Sequence, residues 1–136
     1  MKIDGSCHCG RITYEAEIDP SKVGICHCTD CQTLTGTAFR VTAIASEQQF
    51  RITSGSPKLY VRIAESGRSI ALAFCSECGT PLYGTSVGDG PKVVGIRAGT
   101  ARQRAELVPR RQIWHRSALP WLPEISCIET TSEKGA

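Results

Sequence analysis

Apolar and polar residues alternate strictly from Arg11 to Ile18, in the order R-I-T-Y-E-A-E-I. Ile12, Tyr14, Ala16 and Ile18 fall on one side and polar groups on the other, the two-residue period of a half-buried strand. The same logic selects Ala38 to Ala45, Phe50 to Thr53, Lys58 to Ile63, Ser69 to Phe74, Leu82 to Thr85, Lys92 to Arg97 and Gln112 to Arg116. These segments are short, β-branched and separated by turns. Ser54-Gly55-Ser56-Pro57 and Gly88-Asp89-Gly90-Pro91 carry the residues that turns demand, so the pattern predicts antiparallel hairpins. Only Ala101 to Leu107 has helix-favouring composition, with room for barely two turns before Pro109. The expected fold is mainly β.

A chain of 136 residues makes one compact domain, expected over residues 1–126, followed by a polar tail over residues 127–136. Hydrophobic residues are 40% of the total, and no apolar run approaches the roughly 20 residues of a spanning helix. The N-terminus MKIDGSCHCG lacks the apolar core of a signal peptide, so a cytoplasmic location is expected. Glycines 88 and 90 lie in a turn, not in a strand-to-helix phosphate loop, and neither a G-x-S-x-G nor an H-E-x-x-H motif is present.

The cysteines change this ordinary picture. Eight occur, and seven form three groups: Cys7-His8-Cys9, Cys26-His27-Cys28-Thr29-Asp30-Cys31 and Cys75-Ser76-Glu77-Cys78. Without an export signal, such clustering points to metal rather than disulfides. Tetrahedral zinc with bonds of about 2.3 Å places its sulfurs about 3.8 Å apart, which a C-x-C pair in extended backbone and a C-x-x-C turn both meet. Seven ligands divide into a closed set of four and an open set of three. Cys7 and Cys9 with Cys75 and Cys78 is the simplest partition, because it leaves the triplet intact; spacing alone does not decide which pair joins which. The formal charge of +3 disappears if seven thiolates hold two zinc ions.

The runs G5-S-C-H-C-G10, C26-H-C-T-D-C-Q32 with Thr35-Gly36, F74-C-S-E-C-G-T-P-L82 and I113-W-H-R-S-A-L-P-W121 resemble the signature blocks of the glutathione-dependent formaldehyde-activating enzyme family, also called the centromere protein V-like family. The resemblance implies a β-tent fold with two zinc ions. It implies a structural ion on Cys7, Cys9, Cys75 and Cys78, and a catalytic one on Cys26, Cys28 and Cys31. It also implies a carbon-sulfur lyase type of activity that joins glutathione and formaldehyde. The chain departs from the common pattern at Ala101-Arg102, where many members carry Leu-Asp, and at Gln112, where several carry histidine. Both changes bear on which thiol the protein takes.

The remaining candidates are weaker. His8 and His27 should point away from the ions, as supporting or surface residues. A fourth ligand for the triplet would have to be His27, Asp30, His115 or Cys127, the last of which otherwise reads as a free thiol. Arg102, Arg104, Arg110, Arg111 and Arg116 form a basic run suited to carboxylates or phosphate, though such runs are ordinarily solvated faces. Only Trp114 and Trp121 accompany it, too few aromatics for a nucleic-acid surface. The competing readings are a non-enzymatic two-zinc module binding a thiol peptide, protein or nucleic acid, and a thiol redox switch at the triplet.

Overall fold

The computed structural model describes residues 1–133, so part of the expected tail lies outside the described residues. Among the described residues, ten strands form two sheets. A three-stranded sheet has the order β1-β2-β5, where β1 is Lys2–Ser6, β2 is Thr13–Glu17 and β5 is Phe50–Ser54. A seven-stranded sheet contains β3 (Gly24–Cys26), β4 (Arg40–Ser46), β6 (Lys58–Ile63), β7 (Ser69–Phe74), β8 (Pro81–Ser86), β9 (Val93–Arg97) and β10 (Arg111–Ile113), in the order β10-β3-β4-β9-β8-β7-β6. The mainly β class and the hairpin connections of β6 to β9 agree with the alternation of the sequence.

The alternation around β2 does what its period requires. Ile12, Tyr14, Ala16 and Ile18 are all buried and meet Val23, Ala43, Leu82, Val94 and Ile96 in one core. Cys7 and Cys75 belong to that same core, so one cysteine group is anchored where the two sheets' apolar faces meet.

Four features depart from the sequence reading. The sheet is not purely antiparallel, because β10 runs parallel to β3, with Gln112 opposite Ile25 and Ile113 opposite Cys26. The expected helix over Ala101 to Leu107 is replaced by single 3-10 turns at Ala98–Thr100 and Arg104–Glu106. Ala101 and Leu107 are drawn into the core, and Ala101 bridges Gly5 on β1, which costs the segment its helical bonds. The expected strand over Gln112 to Arg116 stops at Ile113, because Trp114 turns the chain with a φ of 53°. A seven-residue helix that periodicity did not show, α1 over Thr29–Thr35, follows the second cysteine group. No helix among the described residues is long and apolar enough to cross a membrane.

Gly5 marks a close approach of β1 to the rest of the fold. A Cβ there would overlap the Thr100 carbonyl oxygen and the hydroxyl of buried Tyr14, which hydrogen-bonds the Thr100 hydroxyl at 2.8 Å. Gly5→Ala is therefore expected to destabilise the domain by about 1–3 kcal/mol, the usual cost of overpacking, measured by urea unfolding. An unchanged midpoint would show that β1 yields freely at this point.

Candidate metal centres

The structure brings the seven clustered cysteines into two groups. Cys7, Cys9, Cys75 and Cys78 form one, and Cys26, Cys28 and Cys31 the other, with the sulfurs of each group all within 4.8 Å of one another. This is the partition that spacing left open and the family resemblance implied.

The four-cysteine group is built from two turns. The first follows β1 and the second follows β7, so the C-x-C pair lies in a turn and not in the extended backbone expected for it. Each turn ends in a glycine at positive φ, Gly10 at 80° and Gly79 at 78°, which lets the chain fold back behind its sulfurs. The Gly79 amide donates to the Cys75 carbonyl at 2.7 Å, the Gly10 amide to the Cys7 carbonyl at 3.1 Å, and the Ile12 amide to the Cys7 sulfur at 3.3 Å. Thr80 ties the turns together: its hydroxyl accepts from the His8 amide at 3.0 Å and lies 3.2 Å from the Cys78 sulfur. Hydrogen bonds from the Thr80 hydroxyl and amide hold the Cys78 thiol down to about 5. His8 itself is exposed.

Sulfur separations of 3.6 Å for Cys7–Cys9 and 3.7 Å for Cys9–Cys75 match the spacing of a tetrahedral tetrathiolate ion. The donor set is soft, complete and half in the core. These residues fit zinc as a closed, structural site.

The triplet is built at the junction of β3 and α1. Cys26 ends the strand, and Cys28 is the helix N-cap, its sulfur accepting from the Cys31 amide at 3.3 Å. Cys31 lies one turn into the helix, and Gly36 closes α1 by donating to the Gln32 carbonyl at 2.9 Å. Burial pushes Cys31 up to about 12 and also raises Cys26. Cys28 is burdened by burial too, but the Cys31 amide and the neighbouring thiols hold it below the ordinary thiol range. Three sulfurs, one buried and two partly so, therefore resist ionising together unless a cation joins them. That is the chemistry a metal ion supplies, and the residues fit one.

Among the described residues, no fourth protein ligand joins the triplet. Asp30 is turned to Arg62, with 3.0 Å between Oδ2 and Nη1. Cys127 is exposed. His27 is buried between its flanking cysteines, and its Nε2 donates to Gln112 Oε1 at 2.7 Å. Its Nδ1 is buried and has no hydrogen-bond partner among the described residues. His115 stands against the His27 ring at a centroid separation of 5.3 Å.

The segment from Gln112 to Ser117 is laced onto this loop. The His27 amide donates to the Ile113 carbonyl at 3.2 Å, and Gln32 Nε2 donates to the carbonyls of His27 and Ser117 at 2.8 and 2.9 Å. The left-handed Trp114 sits inside this lacing, with the Arg116 guanidinium 4.6 Å from its ring centroid. Gln112, one of the two departures from the family pattern, is thus the direct partner of the triplet's histidine. The other departure lies elsewhere. Ala101 is fully buried, and Arg102 makes a two-point ion pair with Asp4, at 2.7 and 3.1 Å.

The basic run is a solvated face, as such runs ordinarily are: Arg104, Arg110, Arg111 and Arg116 are exposed, and Arg102 is occupied. Sequence reasoning passed over Arg40, Arg62 and Arg97, which are far apart in the chain and share one cavity in the fold. Arg40 is close enough for its charge to favour the Cys31 thiolate. Burial, then the charge of Arg40, holds Arg97 down to about 9. The signal was present as glycines in mid-strand: a Cβ on Gly84 would come within 2.8 Å of Arg97 Nη2.

Comparison with known proteins agrees with this architecture. A solved structure of a Rhodobacter sphaeroides protein shares the fold, with a TM-score of 0.63 and 20% identity, covering 80% of this chain and 98% of that one. No curated protein matches the chain. The sequence profile of the glutathione-dependent formaldehyde-activating enzyme matches residues 2–117, and the chain belongs to that family.

Proposed function

We propose that the protein is a zinc-dependent carbon-sulfur lyase that joins a small thiol of the glutathione type to a small aldehyde such as formaldehyde, or cleaves their adduct, at Cys26, Cys28 and Cys31. The observation that carries this reading is the convergence of three sulfurs with no fourth ligand among the described residues. Family membership supplies the substrate class. Cys7, Cys9, Cys75 and Cys78 act as the structural set. The protein is read as cytoplasmic, the compartment in which reduced thiols abound.

The reaction is an addition. The thiol sulfur forms a bond to the carbonyl carbon, the carbonyl π pair moves to oxygen, and the proton lost from sulfur ends on that oxygen. No oxidant or reductant is needed. Cys26, Cys28 and Cys31 would hold a zinc ion, which when bound would supply activation of a thiol by lowering its pKa. The chain's own residues set the stage. The β3–α1 junction fixes the sulfurs, and the Cys31 amide stabilises charge on Cys28. Gln112 fixes the His27 ring, and Gln32 holds the loop against the 113–117 segment.

Exchange-mode NMR of mixed glutathione and formaldehyde tests the reading. The zinc-loaded protein, at catalytic concentration, is expected to speed interconversion of free thiol and hydroxymethyl adduct well above the rate in buffer. Exchange identical to buffer would refute the catalytic reading and leave a zinc module that binds its partner without turnover.

A further inference from the structure

Arg40 opens β4, Arg97 closes β9 and Arg62 lies on the edge strand β6, yet all three line one cavity of about 330 Å³. Arg40 and Arg97 also line a second cavity of about 440 Å³, whose other walls include Leu34, Leu59, Leu72 and Phe74. The two guanidinium groups thus line both a cavity of mixed polarity and a more apolar one that also carries Lys58. Arg40 is only 9% exposed.

The charge at this place is not matched by protein acids. Arg62 pairs with Asp30, but neither Arg40 nor Arg97 has a carboxylate partner among the described residues. The buried Nε atoms of Arg40, Arg62 and Arg97 all lack acceptors. Buried charge without a partner is among the costliest features a fold can carry. The loaded triplet offsets part of it, since three thiolates on a divalent ion leave one negative charge against the two positive charges of Arg40 and Arg97. At least one positive charge remains, and Arg68 and Lys58, which line the same cavities, add to it.

The sheet is also shaped for Arg97. A Cβ on Gly84 in β8 would come within 2.8 Å of Arg97 Nη2, whereas one on its β9 partner Gly95 would press on Thr42 Cγ2 at 3.0 Å and meet Arg97 Nη1 only in ordinary contact at 3.8 Å. Glycine weakens a strand interior, and here it leaves a trough for a guanidinium. Arg97 Nη1 donates to the Gly95 carbonyl at 3.1 Å, which fixes the fork and leaves its Nε without an acceptor.

We propose that Arg40 and Arg97, supported by Arg62, form an oxyanion site that holds a carboxylate of the thiol substrate beside the triplet, while the rest of that substrate lies in the adjoining apolar cavity. The substrate class is then an anionic thiol with a carboxylate, and a neutral thiol of the same size is a poor substrate. This inference rests on the lyase reading for the identity of the bound molecule, but the anion site can be tested without catalysis. Arginine forks match a carboxylate in two-point geometry, and the apolar wall favours an organic acid over a free mineral anion.

The test uses S-methylglutathione, which has no free thiol, and its diethyl ester, titrated calorimetrically into the zinc-loaded protein. The acid is expected to bind at least tenfold more tightly than the ester. Arg97→Gln and Arg40→Gln should each weaken the acid at least tenfold and leave the ester unaffected, whereas Arg110→Gln, on the exposed basic face, should change neither. Gly84→Ala, which displaces the end of Arg97 without removing its charge, should weaken the acid as well; it serves if Arg97→Gln loses its zinc or its thermal transition. Undetectable binding of S-methylglutathione, equal binding of acid and ester, or unchanged affinity in both Arg97→Gln and Gly84→Ala overturns the proposal. Inorganic phosphate that competes as well as S-methylglutathione also overturns it, because the site would then take a free anion. Carboxylate-dependent binding without any turnover of formaldehyde would sustain the anion site and refute the lyase reading.

Discussion

Cys75→Ser is expected to yield a chain without a cooperative unfolding transition and without the closed metal site. Cys75 is almost fully buried and belongs both to the hydrophobic core and to the four-sulfur group. Structural zinc sites in small domains carry apparent binding free energies of about 10–16 kcal/mol, whereas a whole domain is stable by only about 5–15 kcal/mol. Losing the ion therefore removes more stability than the domain has to spare. The effect reaches both sheets, because Cys7 follows β1 of the smaller sheet and Cys75 follows β7 of the larger. Circular dichroism during heating, with zinc content per chain, measures the outcome. A cooperative transition at the wild-type temperature would show that the core alone holds the sheets.

The second large effect is chemical. Cys28→Ser is expected to cut thiol–aldehyde turnover by more than about 100-fold, since disturbing even the partners that orient metal ligands costs about 10–100-fold. The fold should survive. Cys28 caps α1 through its sulfur, and serine is among the preferred N-cap residues, so its hydroxyl can accept the same Cys31 amide. The remaining two sulfurs make a poor zinc site, so zinc content should fall by about one ion per chain while the thermal transition persists. Wild-type turnover in this variant would place the reaction elsewhere.

The contrast between these two variants follows from where the fold puts each group. One group joins the two sheets, and the other sits at the junction of β3 and α1 with the 112–117 segment laid over it.

Much of this was legible in the sequence. The alternation from Arg11 to Ile18 predicted a fully buried strand face, and the ligand count of four plus three anticipated both groups. α1 escaped notice because TDCQTLT has no apolar period; it forms because a cysteine caps it and a glycine ends it. The parallel pairing of β10 with β3 escaped because residues 111–113 are too few to show a direction, and a long-range contact fixes them. The basic run drew attention by its density, yet density in sequence is not convergence in space. Arg40, Arg62 and Arg97 are separated by more than twenty residues each and meet only through the strand order. Gly84, in the middle of β8, was the local trace of that site.

Zinc content per chain, measured on protein purified without added metal and again after incubation with glutathione and washing, tests the central claim most directly. About two ions falling towards one is the predicted result, with the four-cysteine ion retained and the triplet's ion exchangeable by thiol. Two ions held unchanged through the glutathione wash would contradict an open, thiol-accessible site at Cys26, Cys28 and Cys31.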